Sequence, residues 1–176
     1  MKQRTIAKSV EIVGIGLHKG VPVKMKLEPL DSDMGIIFYR SDAGVTIPVK
    51  KEYVVDTKMA TVIGKDDVVV STIEHLLSAV YAYGIDNLRI IIDNDEVPVL
   101  DGSSSGYCML IEEAGIKELD KSKKAIKIKK EVEVTTPEGK RVCLKPSNRI
   151  VYDFKIKFDH PAIGEQSFHF DYSIDE

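Results

Sequence analysis

Several broad classes of protein are excluded by what this sequence has little of. Basic charge is not in excess: 25 lysines and arginines stand against 28 acidic residues, a net charge of −3 with both signs mixed. Nucleic-acid binding of the usual kind needs a clustered basic face, and none is visible. Long apolar runs are also missing. No stretch approaches the roughly 18 consecutive apolar residues of a membrane span, and MKQRTIAKSVEIV, residues 1–13, lacks the apolar centre of a signal peptide. Cysteine is scarce. Cys108 and Cys143 lie far apart and match no zinc or redox spacing, so they are expected to be buried free thiols. With 7 prolines, 43% hydrophobic and 30% charged residues, the chain has the composition of a folded protein rather than a disordered one.

What is present reads as strands first and helices second. SVEIVGIGLHKGVPVKMKLEPL contains two alternating runs around a glycine-rich turn, and Val21, Val23, Met25 and Leu27 carry the period of a half-buried strand. GIIFYR, KMATVIG and VVV read as further strands, with a GKDD turn between the last two. A helix follows. Ser71 suits its N-cap, Gly84 its stop, and Ile73, Leu76, Leu77, Val80 and Tyr81 form an apolar stripe at spacings of three and four. NLRIIID reads as a buried strand and DGSSSGYCMLIEEAGI as a turn into a second helix.

Residues 1–120 are therefore expected to form a complete α+β domain, with helices packed on one face of the strands. Residues 121–176 are expected to be a linker followed by the β-rich start of a second domain lacking its helices. The basic run KSKKAIKIKK at 121–130 is interrupted by apolar residues and reads as that linker entering an exposed strand, not as a nucleic-acid site. KEVEVTTPEGKRVCLKP can be laid against KSVEIVGIGLHKGVPVKMKLEP, which hints at two related units. RIVYDFKIKF and QSFHFDYS add strands, and DYSIDE falls where a helix could begin, so the chain reads as a piece of a longer protein. A sheet left without its helices would favour self-association through its apolar face.

The chemistry-bearing feature is Glu74 beside His75. Two readings stand side by side. In one, Ser71 and Glu74 form an S-x-x-E capping box and His75 is a packed imidazole. In the other, His75 binds a metal and Glu74 takes a proton from water, the division of labour in zinc hydrolases. Adjacent helical residues point about 100° apart, so the two can flank one site but not face it equally. H-E-x-x-H is absent. His18 lies in the GIGLHKG turn, His160 precedes Pro161, and His169 sits in a strand alternation, so three zinc ligands cannot be assembled from these residues. LDGSSSG lacks the lysine of a phosphate-binding loop and reads as a turn.

Four stretches taken in order, GIGLHKG, STIEHLLSAVYAYGIDN, EVPVLDGSS and KFDHPAIGEQ, resemble the UDP-3-O-acyl-N-acetylglucosamine deacetylases over essentially the whole chain. These are zinc enzymes of lipid A synthesis in Gram-negative bacteria. The resemblance implies two similar α+β domains whose helices are sandwiched between outer sheets. It implies a cytoplasmic zinc-dependent hydrolase acting on UDP-linked acylated N-acetylglucosamine, with Glu74 as general base and His75 as a zinc ligand. His18 would lie near the active site, and Met59 and Ala60 would border the region near zinc. Many relatives carry cysteine where this chain has Ala60, so no thiol could reach the metal from there. Phe158 would stack on the uridine end, and Lys145 would meet the diphosphate. The family's other two zinc ligands come from an H-K-x-x-D motif beyond FDYSIDE, and a further histidine is expected to protonate the leaving amine. This chain by itself is therefore expected to be inactive. The competing expectation is a complete, non-catalytic α+β protein that binds a nucleotide sugar or a protein partner.

Overall fold

The computed structural model describes residues 1–172. The expectations at Ser173 to Glu176, including a helix starting in DYSIDE, lie outside the described residues. The chain divides into two compact units, Met1–Lys124 and Ala125–Glu176.

In chain order the first unit contains β1 (Lys2–Ile6), β2 (Val10–Ile15), β3 (Pro22–Pro29), β4 (Ile36–Arg40), β5 (Val45–Pro48), β6 (Val54–Asp56), β7 (Val62–Lys65), β8 (Val68–Val70), α1 (Glu74–Ala82), β9 (Leu88–Ile92), α2 (Ser105–Ala114) and β10 (Ile116–Ser122). It is α+β, as expected. The main sheet runs β2-β3-β9-β4-β5, and β4 pairs parallel with β9 while the other neighbours are antiparallel. Period-2 alternation decides its faces. Val23, Met25 and Leu27 of β3 and Leu88, Ile90 and Ile92 of β9 all turn inward, and Leu27 lies opposite Ile90. β9 was expected to be buried throughout, yet Arg89 and Ile91 are half-exposed, so one face of the strand packs on the core and the other does not. Val21 lies outside β3 and is exposed, so the alternation of that strand starts at Val23.

One core joins this sheet to both helices through Leu76, Ala79 and Val80 of α1 and Tyr107, Ile111 and Ala114 of α2. Burying a large aliphatic side chain such as Leu76, Val80 or Ile111 is worth about 1.5–3 kcal/mol. The stripe expected on α1 is displaced: Ala79 joins Ile73, Leu76 and Val80 inside, Leu77 is half-buried, and Tyr81 is 61% exposed. A spacing of four links Tyr81 to Leu77, which already sits at the edge of the buried face. Gly84 ends α1 as expected. Its φ is +62°, its amide donates to the Tyr81 carbonyl, and the Ile85 amide donates to the Val80 carbonyl, the paired bonds of a Schellman stop.

The GKDD turn expected between KMATVIG and VVV is present, whereas two pairings, of β6 with β7 and of β1 with β10, had no counterpart in the sequence. β7 and β8 turn on Asp66 and Asp67, both at positive φ, and pair with β6 into a small separate sheet. β1 pairs antiparallel with β10, closing the unit by joining its two ends. The boundary expected at 120 therefore falls inside β10. Residues 121–124 belong to the first unit, where the Lys123 amide donates to the Met1 carbonyl and its ammonium lies 3.0 Å from Asp86.

The second unit contains β11 (Val132–Thr135), β12 (Arg141–Leu144), β13 (Ile150–Lys157) and β14 (Glu165–Tyr172). They form two antiparallel hairpins, and no helix occurs among its described residues. β11–β12 repeats the strand-turn-strand form of β2–β3, the likeness read from the two aligned stretches. In β13–β14 the pairs Ile150–Tyr172, Tyr152–Phe170 and Phe154–Phe168 put aromatic and aliphatic side chains on one face, and these are exposed. No helix among the described residues is long and apolar enough to cross a membrane.

Candidate functional site

The chain reaches α1 by an irregular path. Ser71 is extended and bridges to Glu96: its amide donates to the Asp95 carbonyl at 2.8 Å, and the Val97 amide donates to the Ser71 carbonyl at 3.1 Å. Thr72 follows at φ +58°, a conformation that β-branched residues rarely adopt. Helical hydrogen bonding begins only when Leu77 donates to Ile73, so Ile73 rather than Ser71 is the N-cap, and no side chain caps the helix. The Ser71–Glu74 capping box therefore does not form, because the Ser71 backbone is already committed to the bridge.

Glu74 is free of that role. Its Oε2 accepts from the Thr61 amide at 3.1 Å, which holds the half-buried carboxylate against the segment entering β7. Met59 and Ala60 immediately precede that amide. Met59 is 83% exposed, and Ala60 is half-buried. His75 is half-buried, and among the described residues none hydrogen-bonds its imidazole. Asp101 is its charged neighbour. The Ser103 amide and hydroxyl, each at 3.0 Å, hold the Asp101 carboxyl below its ordinary range, and the His75 charge adds a smaller share.

His18 is fixed from beneath by Glu96, which is 2% exposed. The Glu96 carboxylate accepts from the His18 amide at 3.0 Å, the His18 ring Nδ1 at 2.7 Å, the Lys19 amide at 3.3 Å and the Thr72 hydroxyl at 2.9 Å. Gly16 makes this approach possible, because a Cβ there would stand 2.5 Å from Glu96 Oε2. Burial disfavours the charge on Glu96, but the bonds from the His18 ring and amide, the Thr72 hydroxyl and the Lys19 amide outweigh it and hold the carboxyl below its usual 4.5. The unfolded chain then takes up that proton at higher pH than the folded one. Stability from Glu96 is complete above about pH 4.5 and is lost as pH falls through the depressed value. Thermal unfolding between pH 7 and pH 3 should show a steeper acid loss for the wild type than for Glu96→Gln. Equal slopes would contradict this.

In the second unit, Lys145 and Phe158 line one groove of about 940 Å³ together with Lys140, Arg141, Lys155 and Lys157. Phe158 is 54% exposed, Lys145 lies 3.8 Å from Glu131, and Asp153 also lines the groove, so its basic side chains are accompanied by one acid and one aromatic ring. His160 and His169 are used locally, His160 accepting from the Ala162 amide and His169 pairing with Asp153 at 2.6 Å. Both cysteines are free, as expected, but half-buried rather than buried.

Among the described residues the one three-donor cluster with metal-ligand geometry is Glu131, Glu133 and Cys143, which does not include His75. The Cys143 thiol there is already hydrogen-bonded to Glu131 and pushed up by burial and that carboxylate. Sequence reading missed Glu96, Thr72 and Asp101. The signal for Glu96 and Asp101 lay in EVPVLDGSS, where single acids punctuate an apolar stretch that has to be buried.

This α+β unit offers a carboxylate and, beside it at one helix start, an imidazole with no hydrogen-bond partner among the described residues: one metal donor, short of the three protein ligands of a catalytic zinc. The family model for UDP-3-O-acyl N-acetylglycosamine deacetylase (LpxC) matches residues 3–176, and the chain belongs to this family. A relative from Aliarcobacter butzleri, named UDP-3-O-acyl-N-acetylglucosamine deacetylase, is 87% identical over 176 residues, all of this chain and 58% of the relative. Relatives of the same name from Nautilia profundicola and Helicobacter pylori J99 are 64% and 60% identical over 98% of this chain, covering 59% and 58% of their own lengths. The chain thus spans less than two thirds of the curated relatives it matches.

Proposed function

We propose that this chain forms part of a zinc-dependent deacetylase that removes the N-acetyl group from UDP-3-O-acyl-N-acetylglucosamine in the cytoplasmic steps of lipid A biosynthesis. The observation that carries this reading is the half-buried Glu74–His75 pair, with an amide-held carboxylate beside an imidazole that has no hydrogen-bond partner among the described residues, in a chain of this family. His75 fits zinc as one donor. The described residues supply no second or third ligand next to it, so in this reading the rest come from elsewhere in the whole protein.

Zinc, when bound, would supply the Lewis acidity that polarises the acetyl carbonyl and acidifies water. The residues of this chain would do the rest. The Thr61 amide occupies Oε2 of Glu74 and leaves Oε1 to accept the proton of the attacking water. Breaking the C–N bond, with a proton returned to the sugar nitrogen in place of the one Glu74 took, would then release acetate and the free amine. The exposed Met59 would border the acetyl end, while Lys145 and Phe158 of the second unit would meet the diphosphate and the uracil. Metal analysis tests the reading. The whole protein should carry one zinc and His75→Ala should lose it, while the 176-residue chain should shed zinc on gel filtration. Stoichiometric zinc in His75→Ala would refute the ligand role.

A further inference from the structure

The His18 loop raises a question that the Glu74–His75 pair does not answer. Glu96 is a charged side chain placed under an exposed turn, 3% accessible against 40% for the His18 side chain above it. A buried carboxylate with four donors is not needed to form a turn that already has its own backbone bonds, Gly16 to Val21 and Gly20 to Gly16. The arrangement also holds Thr72 at positive φ and requires glycine at position 16. Such local strain persists where the surroundings over-determine it, commonly at functional sites. Thr72 is two residues before Glu74, so one carboxylate fixes both the His18 ring and the entry to the helix that carries the Glu–His pair.

We propose that Glu96 is a positioning residue that keeps a proton on Nδ1 of the His18 ring, so that the neutral tautomer it selects offers Nε2 as a hydrogen-bond acceptor to a hydroxyl or N–H of the substrate. An ionised carboxylate cannot donate, so the proton in the 2.7 Å contact belongs to Nδ1. The Thr72 hydroxyl donates to the same oxygen at 2.9 Å and cannot take the ring proton's place. Among the described residues none hydrogen-bonds Nε2. The catalytic consequence of this assignment rests on the deacetylase reading, but the tautomer itself does not.

Glu96→Gln separates the two roles. Its carbonyl oxygen can take the Oε2 position and keep the amides of His18 and Lys19, which leaves the NH2 group facing Nδ1. Nδ1 must then accept, and the ring proton moves to Nε2. The fold is kept while the acceptor is lost, the logic by which an Asp-to-Asn change inverts the histidine of a serine-protease triad.

The experiment is a long-range ¹H–¹⁵N NMR spectrum of the His18 ring in the whole, zinc-loaded protein, wild type and Glu96→Gln, with kcat and KM measured on the same samples. The wild type should show protonated Nδ1 and the variant protonated Nε2. The kcat of the variant should fall about tenfold or more, with KM within about twofold and zinc content unchanged. A wild-type ring protonated on Nε2 would overturn the assignment, even if the variant failed to fold. A tautomer unchanged in Glu96→Gln would also overturn it, as would one that moves with no loss of kcat. A wild-type protein with the expected tautomer but no deacetylation would instead count against the deacetylase reading.

Discussion

Glu74→Gln in the whole protein is expected to lower turnover about 10²–10⁴-fold, the usual worth of a positioned general base, while leaving zinc content and thermal unfolding unchanged. Glutamine keeps the oxygen that accepts from Thr61, so the link between α1 and the segment entering β7 survives. It loses the ability to take a proton. Because no side chain caps α1 and Ser71 is committed to Glu96, Glu74 has no N-terminal capping box to lose. A loss of stability without a loss of turnover would return Glu74 to a purely structural role. Turnover should be read alongside zinc analysis, so that a missing base is not confused with a missing metal.

Leu76→Ala has the largest expected effect on stability, about 2–5 kcal/mol. Leu76 is fully buried in the common core and follows His75 directly. The core it belongs to includes Ala79 and Val80 of its own helix and Ile111 of α2, and such interiors are close-packed and relax only partly around a lost side chain. Domains of this size have about 5–15 kcal/mol of stability in total, and the loss would be visible as a lowered urea midpoint with an unchanged slope. A loss under 1 kcal/mol would mean that α1 is not anchored as described. Placed at the first turn of α1, Leu76 also sets where the Glu74 carboxylate meets Thr61, so partial loss of turnover should accompany the loss of stability.

The parts legible in the sequence were those governed by local periodicity. β3 follows from alternation, β9 from its apolar run, α2 from the turn that opens it, and the end of α1 from Gly84. The start of α1 was not legible, because Ser71 looks like a cap in one dimension and becomes a bridge residue only when Glu96 lies beside it. The β1–β10 closure was hidden for the same reason: its strands are separated by nearly the whole unit, and IKELDKS carries no apolar alternation. In the candidate site, Glu74 and His75 stood out by residue type. Glu96 did not, since its role depends on a glycine, a threonine and a histidine brought in from two other segments. Residue chemistry announces the groups that react, whereas the groups that hold them are defined by tertiary contact.

The decisive measurement is acetate release from UDP-3-O-acyl-N-acetylglucosamine by the whole, zinc-loaded protein. Stoichiometric acetate and a free sugar amine are expected, and both should be lost when Glu74 is replaced. A folded, zinc-loaded protein that binds the nucleotide sugar but releases no acetate would contradict the deacetylase reading and leave a binding protein in its place.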